Sequence, residues 1–335
     1  MTQKIHISAQ ETAQIIQKLW QNDDAQGEPV VYAILDGSRN NKIQPMLSQS
    51  DQRYSCLYEG SLNYELTLAA PYIVRLEKNS DFTHELIQQC WGNSWGIFAI
   101  AYAPATLISV RRNCRKIAYV LNQKNKKYVF RYYDPRVFKI YLPTCDALEA
   151  AKVFGPVTEF VIEGDTPDTF HRFIRTAQGA IDINQEGFNM ESIENIKVRH
   201  KISNKIPQFN ILKIRDQQMA ALTNNALEKD YQEIKKQFIN DFVEDQTQSM
   251  IVNEKNISLD LFLRACFREA LKFKIEDNYS IYSFFQMNYQ HGWKFWNQES
   301  MSWAKKLLDS PRAGDIKIEK IEKTFSESLM DQLWS

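Results

Sequence analysis

The apolar pattern of this 335-residue chain predicts an α+β fold, with a mixed α/β amino-terminal lobe followed by an all-helical carboxy-terminal lobe. Three observations carry the prediction. Val30-Val31-Tyr32-Ala33-Ile34-Leu35 is a near-continuous apolar run of the kind found in a strand buried on both faces. Short helical and extended patterns alternate around it as far as residue 163. Beyond residue 211 apolar residues recur at helical intervals. The length is enough for two domains, each with its own core. The expected boundaries are 1–163 for the α/β lobe, 164–211 for an irregular connector or hairpin arm, and 212–335 for the helical lobe.

In chain order, Ile15, Ile16, Leu19 and Trp20 form the apolar stripe of an opening helix. Pro29 introduces the central strand, and Asp36-Gly37 ends it. Ser55–Tyr58, Tyr72–Leu76 and Gly96–Tyr102 read as further strands, with helical patterns at Phe82–Trp91 and Ala105–Arg112. Lys116–Leu121 and Tyr128–Tyr133 flank a polar tip and predict an antiparallel hairpin whose second strand stops at Pro135. Asp146 caps a short helix, Gly155-Pro156 breaks it, and Glu159–Glu163 extends again. In the second lobe Leu227, Tyr231, Ile234, Phe238 and Phe242 mark one face of a long helix. Ser258 caps the next, whose apolar face runs from Leu259 to Leu271. Ser280–Tyr289, Met301–Leu308 and an amphipathic tail, Phe325–Leu333, complete the set.

Lys plus Arg and Asp plus Glu both total 41, so no global field draws the chain to nucleic acid or an anionic membrane. No apolar run reaches membrane-spanning length and the start is not signal-like, so a cytoplasmic protein without membrane insertion is expected. The five cysteines are scattered without a C-x-x-C pair and read as reduced thiols, and no two histidines share a helical face. No metal and no cofactor is expected. Phosphate-loop, dinucleotide-binding and nucleophile-elbow motifs are also missing.

Charge is concentrated locally. Between Arg111 and Lys139 stand ten basic residues, including Arg111, Arg112, Arg131 and Arg136, against one acid, Asp134. With Tyr128, Phe130, Tyr132 and Tyr133 interleaved, this is either a basic and aromatic surface for an acidic partner or a hairpin kept soluble by its lysines. Strand alternation places Phe130 and Tyr132 on one face, Arg131 and Tyr133 on the other. Asp134-Pro135-Arg136 reads as a corner in which Asp134 accepts from backbone or Arg136, leaving Arg131 and Tyr133 as partner contacts. Asp36 has two readings: a site at the carboxyl end of the strand, or a cap for the next helix. Tyr289, Trp293, Phe295, Trp296 and Trp303 either line a groove, with Trp293 and Phe295 as contacts, or fill the helical core.

Five segments in order, Tyr32–Arg39, Ala70–Val74, Trp95-Gly96, Phe130–Arg136 and Phe154–Val157, resemble the adaptor domain of type VI secretion effector chaperones, the Tap/Tec family. The resemblance covers about residues 30 to 157, and Gly292, Phe295, Trp303 and Leu308 are similar to the helical carboxy-terminal region of those adaptors. It implies a non-enzymatic protein that binds a cognate secreted effector and helps load it onto the VgrG spike. It marks Asp36, Arg39, Trp95, Asp134, Pro135, Arg136, Gly155 and Pro156 as motif positions. Where that family often has His-Leu-Arg-Arg, this chain has Ser109-Val110-Arg111-Arg112, so no role of such a histidine carries over. The rival expectations are a hydrolase using Asp36 or Asp134 as general base, and a nucleic-acid binder using the 111–139 segment.

Overall fold

The computed structural model describes residues 5–21, 27–166, 168–184, 211–242, 249–252 and 255–334. The chain divides into two units, residues 1–222 and 223–335.

The first unit is built on a seven-stranded sheet of order β2-β3-β1-β4-β7-β8-β9. Its strands are β1 (Val30–Asp36), β2 (Tyr54–Cys56), β3 (Pro71–Leu76), β4 (Gly96–Ala101), β7 (Glu159–Glu163), β8 (Phe170–Arg175) and β9 (Ala180–Asp182). Every pairing in it is antiparallel. The predicted central strand is central: β1 lies between β3 and β4, and Val31 to Asp36 are all buried. Its side chains alternate between two cores, which is why it reads as a continuous apolar run. Tyr32 and Ile34 enter one core, and Val31, Ala33 and Leu35 the other. Burial of each large side chain contributes about 1.5–3 kcal/mol.

One face of the sheet carries α1 (Ala9–Leu19), α2 (Ile43–Gln49) and α4 (Asp81–Cys90). Ser8 and Glu11 close a capping box at the start of α1, and Ser80 caps α4. The other face carries α5 (Leu107–Ile117), α6 (Pro135–Tyr141) and α7 (Ala147–Phe154). The short α3 (Tyr64–Ala69) buries none of its side chains. A small sheet of order β10-β5-β6 joins β5 (Tyr119–Leu121), β6 (Lys127–Val129) and β10 (Leu212–Lys213).

Several expectations are corrected. The basic helix runs to Ile117, so Lys116 is helical and β5 starts only at Tyr119. β6 stops at Val129, and the residues after it turn into α6, with Pro135 opening that helix rather than closing a strand. The cause is local: Asp134 accepts from the Arg136 amide, and proline at the first helical position is pre-set for the helix. The first lobe does not close at 163. β8 and β9 extend its sheet through a hairpin with Gly179 at the turn, and Leu212 and Ile214 enter its core. The remainder of the predicted connector, 185–210, lies outside the described residues.

Among the described residues the second unit is helical apart from one antiparallel hairpin, β11 (Ser249–Val252) with β12 (Lys255–Ser258), so the expected all-helical lobe carries a two-stranded exception. Its helices are α8 (Asp216–Phe242), which begins in the first unit, α9 (Leu259–Lys272), α10 (Asn278–His291), α11 (Ser302–Leu308) and α12 (Gly314–Trp334). The core joins Tyr231, Ile234 and Phe238 of α8 to Phe262, Cys266, Phe284 and Trp296. α12 is far longer than the predicted tail. Among the described residues, no helix is long and apolar enough to cross a membrane.

Candidate functional site

Segment 130–136 turns its aromatic rings inward. Phe130 packs edge-on against Tyr141 with ring centroids 4.7 Å apart, and Tyr132 against Phe138 at 5.7 Å. Tyr133 is 1% exposed, so the expected alternation of faces fails and Tyr133 is not a surface contact. Burial pushes its hydroxyl far above the usual tyrosine range. The reason is that the chain is turning here, and a turn does not alternate as a strand does.

Arg131 alone points outward, and it is engaged. Its Nη2 lies 2.5 Å from Asp36 Oδ2 and donates to Ser38 Oγ at 2.8 Å. Asp36 is buried at the end of β1, where its Oδ1 accepts from the Ser38 amide at 3.1 Å and the Ser38 hydroxyl at 2.8 Å. It is the cap of the short helical turn Gly37–Arg39. Burial alone lowers the Arg131 pKa, but its hydrogen bond and attraction to Asp36 leave it raised, so the guanidinium stays charged. Asp134 is gripped by Arg136 through two bonds, Nε to Oδ1 at 2.9 Å and Nη2 to Oδ2 at 2.6 Å. Burial raises its pKa, and the Arg136 bonds more than reverse that, leaving it below the usual range. Both candidate general bases are thus engaged by arginine.

The other motif positions hold the backbone. Trp95 is buried, and its carbonyl accepts from the Asp36 amide at 2.7 Å. Gly155 ends α7 with φ +52°, and a Cβ there would stand 2.4 Å from the Asn113 amide group. Pro156 is half-buried beside it, and Arg39 is exposed.

Arg111 and Arg112 lead to a second feature. They lie on α5, whose start is fixed by a capping box between Thr106 and Ser109. Arg111 donates to Ser55 Oγ at 2.9 Å, and Arg115 donates to the carbonyls of Cys56 at 2.9 Å and Tyr58 at 3.2 Å. Along this helix runs a cleft of about 730 Å³, bounded on one side by residues 57–66 and on the other by β5 and β6. Exposed apolar side chains line it: Leu66 (50% exposed), Ile108 (63%), Tyr119 (38%) and Val129 (55%). Arg111, Arg112, Arg115, Lys116 and Lys127 add five cations against one acid, Glu59. The Lys127 ammonium sits 4.0 Å from the centroid of the Tyr119 ring.

Such a surface can bind a chain that is apolar on one side and acidic at its margins. The arginines of the cleft are legible in the sequence as a local basic excess, whereas Leu62, Leu66, Ile108 and Val129 are not among the expected contacts. The available signal was the helical phase that Ile108 shares with Arg111, Arg112 and Arg115. The other expected contacts, Trp293 and Phe295, lie in the second unit. Phe295 is fully buried and Trp293 packs against Phe262 at 5.9 Å, so the core-packing reading of that cluster holds for Phe295 and Trp296.

Residues 31–152 match the family described as Domain of unknown function (DUF4123), which is associated with type VI secretion adaptor function. The cleft, Asp36, Arg131 and Asp134 all fall within the match. No curated protein and no solved structure matches the chain.

Proposed function

We propose, taking the DUF4123 match over residues 31–152 as premise, that this chain is a non-enzymatic adaptor. It binds a cognate type VI secretion effector and promotes its loading onto the VgrG spike. The observation that carries the reading is the cleft along α5, where exposed aliphatic side chains stand beside five cations inside the matched region. Aliphatic residues left in water at that density are a cost to the free protein that burial against a partner removes. The pairing of Asp36 with Arg131 and of Asp134 with Arg136 supports a binding role over hydrolysis, because a general base needs a lone pair free for the substrate's proton.

The test is co-expression of the tagged chain with the protein encoded beside its gene, where the cargo of such an adaptor is expected. Capture of that protein, and loss of its delivery when this gene is deleted, are the expected results. Normal delivery in the deletion strain would sink the reading.

A further inference from the structure

We propose that the cleft along α5 is a seat for one amphipathic, acidic α-helix of a partner protein, lying lengthwise with leucine-like residues down and carboxylates toward the basic rim. The inference rests on the adaptor reading and adds the chemistry of what is held.

Three features of the cleft select this occupant. The first is length: α5 has 11 residues, so at the helical rise it offers a bed of about 16 Å, which is about three turns of a partner helix. The second is charge. Arg111 with Arg115, and Arg112 with Lys116, are pairs four residues apart, giving two rows of cations one helical turn in pitch. Arg115 is already paired with Glu59 at 3.3 Å, so the rows carry a net excess of positive charge that a helix with acids at the same spacing matches, whereas a lysine-rich segment meets net repulsion. The third is the apolar lining: Leu66 on one wall, Ile108 on the helix, and Tyr119 and Val129 on the other wall. Tyr119 could stack on a base, but a polyanion such as nucleic acid gains nothing from the aliphatic Leu66, Ile108 and Val129, which favour a partner that buries aliphatic groups.

The competing mode is strand addition at a sheet edge, and the nearest edge of the large sheet is closed to it. The outward carbonyls of β2 and the residues after it, Cys56 and Tyr58, already accept from Arg115. β6, the edge of the small sheet, is only three residues long, too short to template an extended peptide firmly.

The experiment uses the full chain and fluorescence anisotropy with a designed probe of about fourteen residues, leucines at i, i+3, i+4 and i+7 and glutamates flanking them. The controls are the same composition scrambled, the same leucines flanked by lysine, a valine- and threonine-rich acidic strand former, and a single-stranded oligonucleotide. The proposal expects the helical acidic probe to bind at least about tenfold more tightly than every control. It expects affinity to fall with salt without vanishing. Ile108→Asp and Arg112→Glu should each weaken the probe about fivefold or more, and Arg112→Glu should regain affinity for a probe whose facing glutamate is lysine. Equal binding by the scrambled probe, tighter binding by the strand former, or displacement by the oligonucleotide each overturns it. If Ile108→Asp abolishes effector capture while the helical probe does not bind, the helix chemistry is wrong and the adaptor reading stands. If the probe binds as expected and no effector is captured by the wild-type chain, the adaptor reading fails instead.

Discussion

The Asp36 carboxyl is 2% exposed, and a charge so placed is tolerable only with a partner and with hydrogen bonds on both oxygens. Arg131 and Ser38 supply both. Arg131 is itself 44% exposed, which moderates the expected loss: Arg131→Ala should cost about 1–3 kcal/mol, read from the denaturant midpoint at unchanged slope. Next to it, Gly37→Ala should cost about 2 kcal/mol or more, because its Cβ would lie 2.3 Å from the Leu68 carbonyl oxygen and 2.5 Å from that of Ala70, backbone that cannot swing aside. Asp134 supplies a pH dependence. Its folded pKa is depressed by Arg136, so its stabilisation is complete above the unfolded value near 3.8 and is lost as pH falls through the lower folded value. Arg136→Gln should therefore flatten the acid limb of the stability curve below pH about 4, and an unchanged limb would count against the pairing. At this scale the sequence was readable where the partners are neighbours. Asp134 and Arg136 are two residues apart, and so are Asp36 and Ser38. Arg131 and Asp36 are 95 residues apart, and no local rule joins them.

Among the elements, α5 and α6 show what periodicity reveals and what it hides. α5 has a strong start signal and four buried positions, Val110, Asn113, Cys114 and Ile117, at helical spacing. α6 has only seven residues, two turns, and comes after aromatic residues that mimic a strand, so in sequence its Asp-Pro opening reads as a strand end. Ile108 tests the division of labour on α5. Since it is 63% exposed, Ile108→Asp should leave stability within about 0.5 kcal/mol while reducing effector capture, and a large stability loss would show that the side chain serves the fold. In the second unit α8 and α9 are tied by Arg264, which bonds Glu228 and Asp260, and by Lys235 on Asp260. Hydrogen bonds from Arg264 to Glu228 and from Lys235 to Asp260 bring each carboxylate to about 2. Both are depressed, so the stabilisation is present above pH about 4 and disappears toward pH 2, and exposure to solvent keeps it modest. Hydrogen-exchange protection factors, corrected for the intrinsic pH dependence of amide exchange, should fall in residues 228–242 and 259–264 over that range, and less steeply in high salt.

For the whole chain, the two units have separate cores, and α8 passes from one into the other. A fragment ending at residue 222 keeps both cores of the large sheet and should retain its near-ultraviolet circular dichroism. A fragment ending at residue 242 keeps Tyr231, Ile234 and Phe238 but removes the α9 and α10 residues that cover them. Three apolar side chains, each worth about 1.5–3 kcal/mol on burial, would then face water, and that fragment should self-associate. Size-exclusion chromatography of the pair checks this, and a monomeric 1–242 fragment would contradict it.

What the sequence determined alone was local: a central strand from a run apolar on both faces, helix starts from Asp146 and Ser258, long helices from their stripes, and the Asp134-Arg136 corner. These are encoded within about four residues or by a period of two, so one dimension suffices. The antiparallel order of the sheet, the reach of the first unit to Leu222 and the burial of Tyr133 and Phe295 came only with the tertiary structure. So did the cleft, which gathers residues 57–66, 108–119 and 127–129. Whether an apolar side chain is core or contact depends on what covers it, and covering is done by residues distant in the chain.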